Sequence, residues 1–382
     1  MIYLDNAATS WPKPPQVAAA ITRFMNEVAG NPGRAGHAPS VAAERIVRDL
    51  RVKLARLIHA PDPNRIVFCF NGTDALNISI KGAWLQGDHV ICTALDHNSV
   101  TRPLQSLVDA GGITLTRVSF GPDGQINPAD IRAAMQPNTR LVIVLHASNV
   151  TGAIQPIADI GRIVRERDGL FLVDAAQSIG VLDLDLEAMN IDVLAAPGHK
   201  SLRGPTGTGF LYVGPRADVR PWREGGTGSQ STEPHQPREL PTRLEAGTLN
   251  TAGLAGLSAA LDMLDARKAL EHERALLQIV RDGLAGHPRI RVAGAPPLER
   301  SVGVLSLVID GLPAVDAGAI LDQSFGIAVR AGLHCAPFAH AALGTIPDGT
   351  IRISPGPATT ANEIDAFVSA MLEIATVMKK CP

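Results

Sequence analysis

A chain of 382 residues is long enough to bury a substantial core and to divide into two lobes. Its 45% hydrophobic and 19% charged content fits a globular enzyme, and a formal net charge of -2 offers no broad basic surface for nucleic acid. No uninterrupted apolar run approaches the roughly 20 residues of a membrane helix, and Ile2-Tyr3-Leu4 reads as a strand where a leader would stand, so a cytoplasmic protein without membrane contact is expected.

The first short strand gives way to Asp5-Asn6-Ala7-Ala8-Thr9, and Pro12, Pro14 and Pro15 mark irregular chain before a helix over 16–28. Asn31-Pro32-Gly33-Arg34-Ala35-Gly36-His37 is a glycine-rich loop, after which Ser40 is placed to cap a helix over 41–58. Residues 65–70 read as a strand that Asn71-Gly72-Thr73 turns directly into a helix. A glycine turn at a helix start exposes N–H groups at the positive end of the helix dipole, which suits a phosphate; the plainer reading of Gly72 and Thr73 is an ordinary cap.

His89-Val90-Ile91-Cys92 is the next strand and leads to Asp96-His97-Asn98. A histidine just past a strand can present its flat face to a heteroaromatic ring and can move protons, or be no more than a polar surface group. Further strands are predicted over 114–118 and 141–145, with a helix over 128–135 between them, and His146-Ala147-Ser148-Asn149 follows the second. A helix over 157–167 returns the chain to the next strand. Strands alternating with helices make parallel crossovers, and open parallel sheets bind ligands beyond the carboxyl ends of their strands, where these motifs fall.

The apolar run Leu170-Phe171-Leu172-Val173 ends on Asp174, with Gln177 three residues on. A second run, 191–196, ends on Pro197-Gly198-His199-Lys200, and Gly204-Pro205-Thr206-Gly207 leads into a strand over 210–213. Short apolar runs bounded by turn formers read as strands buried on both faces, which puts Asp174 and Lys200 at strand ends on one rim of a sheet. A lysine amine forms Schiff bases with carbonyl compounds, and pyridoxal phosphate needs such a lysine plus an acid facing its pyridine nitrogen. The competing reading is a solvated loop lysine and a capping aspartate.

Beyond 213 a long loop, rich in glycine and proline, runs through 225–241 to Glu245-Ala246-Gly247-Thr248. Helical periodicity over 254–284 predicts a long helix and at least one more. Strands over 302–309, 327–330 and 351–354, a helix over 314–323, and a closing helix over 362–379 capped by Thr359 or Thr360 form a smaller terminal lobe. The four cysteines show no paired metal-ligand spacing, so neither a metal site nor disulfides are expected. Cys69 and Cys92 lie in apolar strand runs and read as buried hydrophobes, and Cys381 lies in the tail. Cys335 follows a glycine in Arg330-Ala331-Gly332-Leu333-His334-Cys335, a setting compatible with an accessible thiolate or with a cysteine that merely lines a loop. Arg352 alternates within a strand pattern, suited to gripping a carboxylate through two parallel hydrogen bonds or simply to facing solvent.

Val173-Asp174-Ala175-Ala176-Gln177-Ser178, Gly198-His199-Lys200 and Gly204-Pro205-Thr206-Gly207, in this order, closely resemble the cofactor-binding core of the class V aminotransferase family, in particular its cysteine desulfurase and selenocysteine lyase branch, type II-like. The resemblance runs from Tyr3-Leu4-Asp5-Asn6-Ala7-Ala8 to Arg352. It implies the pyridoxal phosphate type I fold: an α/β large domain over 15–255 with a mainly parallel seven-stranded sheet between helices, and a smaller α+β domain from 1–14 and 256–382. It implies a homodimer in which Thr248 reaches the neighbouring subunit's cofactor phosphate. By the same resemblance Gly72, Thr73 and His199 serve the phosphate, His97 stacks on the ring, Asn149 and Gln177 lie at the phenolic oxygen, and Asp174 and Lys200 keep the roles given above. Asn6, Ala7, Arg34, His37, Arg330 and Arg352 fall on the substrate side, and Cys335 is the sulfur nucleophile. Pro197 departs from the pattern, since related desulfurases often carry a serine there near the phosphate.

The reaction implied is release of sulfur from L-cysteine to Cys335 as a persulfide, with L-alanine formed and the sulfur passed on to an acceptor thiol or acceptor protein. Selenocysteine lyase keeps the cofactor and changes the substrate. An aminotransferase or epimerase of the same fold, or a catalytically silent scaffold, remain as alternatives.

Overall fold

The computed structural model of the chain describes residues 1–33, 36–230, 232–294 and 296–377. The chain opens with β1 (Ile2–Tyr3), α1 (Pro15–Arg23) and α2 (Ala38–Leu57). A regular alternation follows: β2 (Ile66–Cys69), α3 (Gly72–Ala83), β3 (Asp88–Thr93), α4 (Asn98–Asp109), β4 (Ile113–Val118), α5 (Pro128–Ala134), β5 (Thr139–Leu145), α6 (Ile157–Glu166) and β6 (Leu170–Asp174). Then come β7 (Val193–Pro197), β8 (Gly209–Val213), α7 (Thr251–Leu261), α8 (Ala266–Leu284), β9 (Ile290–Val292) and β10 (Leu305–Ile309). The chain finishes with α9 (Ala314–Phe325), β11 (Ile327–Ala328), β12 (Arg330–Gly332), α10 (Pro337–Ala342), β13 (Thr350–Ile353) and α11 (Ala361–Val377).

Strands β2 to β8 form one seven-stranded sheet in the order β2-β8-β7-β6-β5-β3-β4. The run from β7 to β4 is parallel, whereas β8 is antiparallel to both neighbours. Every residue of β6, β7 and β8 is buried, as a sheet covered on both faces requires. The two-residue period divides them cleanly: Phe171, Val173, Leu194 and Phe210 pack with Leu50 and Leu54 of α2 and Ile160 of α6. Leu172, Val193 and Leu211 face the other way, onto Leu76 and Ile80 of α3 and Leu104 of α4.

A second, antiparallel sheet of order β12-β13-β10-β9 carries its own core, with Leu307 and Ile351 against Leu277, Val280, Leu321, Phe367 and Met371. Leu4 belongs to that core, and β1 pairs in parallel with β11, so the opening of the chain joins the C-terminal layer.

Several elements depart from the sequence reading for identifiable reasons. The first helix changes at Phe24 into a π-helical turn, Phe24–Val28, that ends on left-handed Ala29. Ser40 does not cap α2; His37 does, accepting the Ser40 N–H through Nδ1, while the buried Ser40 hydroxyl holds the carbonyls of Asn31 and Gly33. The periodicity over 254–284 hides a break between α7 and α8, where Asp265 caps the second helix. Strand 302–309 is shortened to β10 because Val302 and Val304 pack with Ala7 and Ala147 outside the sheet. The run 327–330 is two strands, β11 and β12, which leave for different sheets.

Candidate active site

Asp174 is the last residue of β6 and pairs in register with Ala195 of β7. Lys200 follows β7 by three residues, so two neighbouring parallel strands deliver an acid and an amine to the same rim. A cavity of ≈ 320 Å³ opens there, lined by Asp174, Gln177, His199, Lys200, His97 and Arg352, with Gly72 and Thr73 at its edge. That volume is at the lower end of what small-molecule sites use. Ala7, Asn149 and Arg330 also face it.

The Lys200 turn is tightly built. Arg203 adopts a left-handed φ of 60° and donates its N–H to the Lys200 carbonyl at 2.8 Å. A Cβ on Gly198 would lie 2.3 Å from Thr208 Oγ1, so only glycine allows this approach. Burial pushes the Lys200 amine down to about 8; Asp174 pulls it up, and the Arg352 and Arg330 guanidinium groups push it down further. Asp174 is buried, and one oxygen accepts the Ala176 N–H at 2.9 Å. Burial raises its pKa, opposed by the Ala176 N–H and by Lys200. An amine that is partly uncharged near neutral pH can act as nucleophile or base.

His97 caps α4: its Nδ1 accepts the Ser99 N–H at 3.0 Å and lies 2.8 Å from Ser99 Oγ. Burial, with Lys200 and Arg330 adding, lowers its pKa to about 4, so the ring is neutral at ordinary pH. Ser99 Oγ lies 2.7 Å from Thr73 Oγ1, which links the N-terminal turns of α3 and α4. Asn71 caps α3 by accepting the Asp74 N–H, which leaves Gly72 and Thr73 in the first turn, whose N–H groups have no partner within the helix. A Cβ on Gly72 would lie 3.3 Å from Pro197 Cδ, so Pro197 packs against that turn. The sequence reading passed over Ser99, which lines the cavity; its signal was a hydroxyl two residues beyond a capping histidine.

Arg352 is buried rather than solvent-facing, 2% exposed, which excludes the plain surface reading. Its Nη2 binds Asp5 Oδ1 at 2.7 Å and its Nη1 donates to the Asn149 carbonyl at 3.2 Å; its Nε is buried with no partner. Asp5, overlooked by the sequence reading, therefore holds this guanidinium. Gln177 Nε2 donates to the Ala7 carbonyl at 3.0 Å, and Asn149 Nδ2 donates to the His334 carbonyl at 2.8 Å.

Cys335 is half-buried and is not among the side chains lining the cavity, although His334 and Arg330 are. His334 and Cys335 both take positive φ, 48° and 59°. Two consecutive left-handed residues with side chains are costly, on the order of 1–3 kcal/mol each, and persist only where the surroundings impose them. Here the Asn98 N–H, the Asn149 amide and the His334 contact to Thr350 Oγ1 at 2.9 Å impose them. Burial pushes the Cys92 thiol up to about 12 and the Cys69 thiol well above its usual value, which makes both inert.

Other sequence-predicted residues stand apart from this cavity within one chain. His37 is exposed. Asn6 lines a neighbouring cavity, donating to the Ser354 carbonyl at 3.0 Å, while Ala7 borders both. Thr248 is exposed in a small separate pocket with Phe70 and Asn250. Its loop is pinned by Glu245, which binds Arg51 Nη2 at 2.6 Å and accepts the Phe68 N–H at 2.6 Å. Arg34 and Cys381 lie outside the described residues.

An amine and a buried acid at adjacent strand ends, on a doubly covered sheet with a helix N-terminus at the same cavity, give the chain the kind of cleft in which α/β enzymes bind small molecules. The chain matches the family described as Aminotransferase class-V over residues 2–367, and it belongs to that family. It is 35% identical, across 98% of its length and 94% of the relative's, to a probable cysteine desulfurase of Methanothermobacter thermautotrophicus. A probable cysteine desulfurase of Vibrio cholerae is 33% identical over 97% of this chain and 93% of its own. Among solved structures, an apo cysteine desulfurase from Thermococcus onnurineus superposes with a TM-score of 0.90 at 30% identity, covering 98% of this chain and 94% of that one. No described helix is long and apolar enough to cross a membrane.

Proposed function

We propose that the chain is a pyridoxal-phosphate-dependent cysteine desulfurase that converts L-cysteine to L-alanine and takes the sulfur onto Cys335. The observation that carries this reading is the convergence of Lys200, Asp174, His97 and Arg352 on one cavity, with the loop of Cys335 at its edge. The side chains fit the cofactor. Gly72 and Thr73 at the α3 N-terminus, the hydroxyls of Thr73 and Ser99, and His199, whose Nδ1 is buried without a partner, suit a phosphate. Asp174 suits a protonated ring nitrogen, and a neutral His97 ring suits stacking. The two hydroxyls stand in for the serine that Pro197 replaces.

When bound, pyridoxal phosphate supplies an aldehyde for capturing amines and a ring that accepts electrons. Asp174 would hold a proton at the ring nitrogen. Lys200, with a pKa near 8, removes the substrate's alpha proton as general base. Arg352, fixed by Asp5, offers its free Nε edge to the substrate carboxylate. The Cys335 thiolate attacks the substrate sulfur: a sulfur–sulfur bond forms, the carbon–sulfur bond breaks with its electron pair staying on carbon, a proton delivered there makes the methyl group, and Lys200 returns a proton to the alpha carbon to complete alanine. The persulfide then passes to an acceptor thiol, on a small molecule or an acceptor protein.

The proposal includes the two-domain division at residues 14 and 255 and a homodimer. The division is supported by the separate cores of the two sheets, and the dimer by an exposed Thr248 grouped with an exposed Phe70 in a small pocket apart from the Lys200 cavity. Arg34 and His37 remain assigned to the substrate side by resemblance. Purified protein incubated with L-cysteine should release alanine, with equal sulfide once a reductant is added; keto-acid formation or inversion of configuration without sulfide would overturn the reading in favour of an aminotransferase or epimerase.

A further inference from the structure

Behind the wall formed by Ala7 and Gln177, which line both spaces, lies a second and larger cavity of ≈ 530 Å³. It is bounded by the turn after Lys200 on one side and by the start of α8 and residues 302–304 on the other. Its polar groups are not consumed by the fold. Arg203 makes no ion pair or side-chain hydrogen bond among the described residues, and its Nε is buried without a partner. Lys268 lines the same space and likewise has no ion-pair partner among them.

Across α8, Glu273 lines the cavity with no hydrogen-bond partner among the described residues. A Cβ on Gly303 would lie 2.3 Å from its Oε2, so glycine at 303 is what leaves the carboxyl its place. Burial raises this carboxyl to about 8, which favours its neutral form at neutral pH, and a cation beside it would favour the charged form. Arg203 and Glu273 are both half-buried at this cavity, and a guanidinium and a carboxyl without protein partners facing one space suit a ligand with both an anion and a cation.

We propose that this cavity is a second binding site, for a small molecule with an α-amino-acid head group, its carboxylate held by Arg203 and Lys268 and its ammonium by Glu273. The site is separate from the cavity of Lys200, and its occupancy does not depend on the reaction assigned above. Two sources share this chemistry: the reacting amino acid or its product, and a thiol peptide able to accept sulfur.

Equilibrium dialysis of the cofactor-loaded protein with labelled L-alanine and with labelled glutathione tests it, against Lys200→Ala, Glu273→Gln and Arg203→Gln. The expected result is a class of sites that persists in K200A and weakens by about tenfold or more in both E273Q and R203Q, the loss of one charged hydrogen bond. Glu273→Gln keeps the shape of the neutral carboxyl, so its fold is expected to match wild type by circular dichroism. Binding of alanine alone identifies the reacting amino acid as the source, and binding of glutathione alone identifies the thiol. The proposal is overturned if neither binds, if E273Q binds like wild type, or if acetate displaces the ligand as well as alanine does. A protein inactive toward cysteine that still shows this binding would sink the desulfurase reading and leave the second site standing.

Discussion

The backbone N–H of Asn98 donates to the carbonyl of Cys335 at 2.7 Å, so the residue after His97 clamps the loop that carries the half-buried thiol. Ring and thiol are thereby fixed relative to each other through two peptide groups. A further clamp, beside the Asn149 amide, is His334, whose Nε2 meets Thr350 Oγ1. Thr350→Val strands a buried histidine nitrogen and should cost about 1–3 kcal/mol in urea unfolding. Desulfuration should slow while cofactor affinity stays unchanged, because Thr350 does not line the cavity.

Replacing Cys335 by alanine separates desulfuration from selenocysteine cleavage. Sulfur transfer from L-cysteine needs the thiolate as acceptor and should collapse. Selenium leaves with less help, so alanine release from selenocysteine should survive. Full retention of the cysteine reaction would remove Cys335 from the mechanism.

Lys200 and Asp174 make a pH prediction. The amine reacts only when unprotonated, and its pKa of about 8 means that capture of pyridoxal phosphate by cofactor-free protein should accelerate as pH rises through about 8. Asp174 favours the charged amine, so Asp174→Asn should move that midpoint downward. Stopped-flow absorbance of the captured cofactor reports both. Lys200→Ala should abolish the absorbance and lower turnover by about 10²–10⁴, the usual contribution of a positioned base.

Arg352→Gln should raise KM for L-cysteine and lower kcat/KM by about 10–100-fold, the value of a charged hydrogen bond to a carboxylate. Asp5→Asn, which never touches substrate, should give a smaller effect in the same direction, because the guanidinium loses the partner that aims it. Steady-state kinetics with both variants would expose the assignment if the order were reversed.

Acid should find the buried histidines. Burial lowers His340 to about 4 from an ordinary 6.5, so the native ring refuses a proton that the unfolded chain accepts. Its contribution is present above pH 6.5 and is lost as pH falls toward 4. Asp96, raised to about 7 by burial, acts in the opposite sense, with stability lost as pH rises through about 7. The readout is therefore a difference: urea midpoints of His340→Gln should fall less steeply than those of wild type between pH 6.5 and 4.

The runs around Asp174 and Lys200 declared themselves in the sequence, because a strand buried on both faces must be continuously apolar and must end where polar residues begin. The alternation of β2 to β6 with helices, and the turn at Gly72, were legible for the same local reason. What no local pattern carries is partnership across the chain. That Asp5 aims Arg352 across 347 positions, that Ser99 joins Thr73 to His97, and that residues 327 to 332 divide between two sheets were decided by tertiary packing, which brings together groups whose side chains look unremarkable in their own neighbourhoods. The same holds for Arg203 and Glu273: each reads as an ordinary charge on its own segment, and only the folded chain brings both to one cavity and leaves their side chains without partners among the described residues.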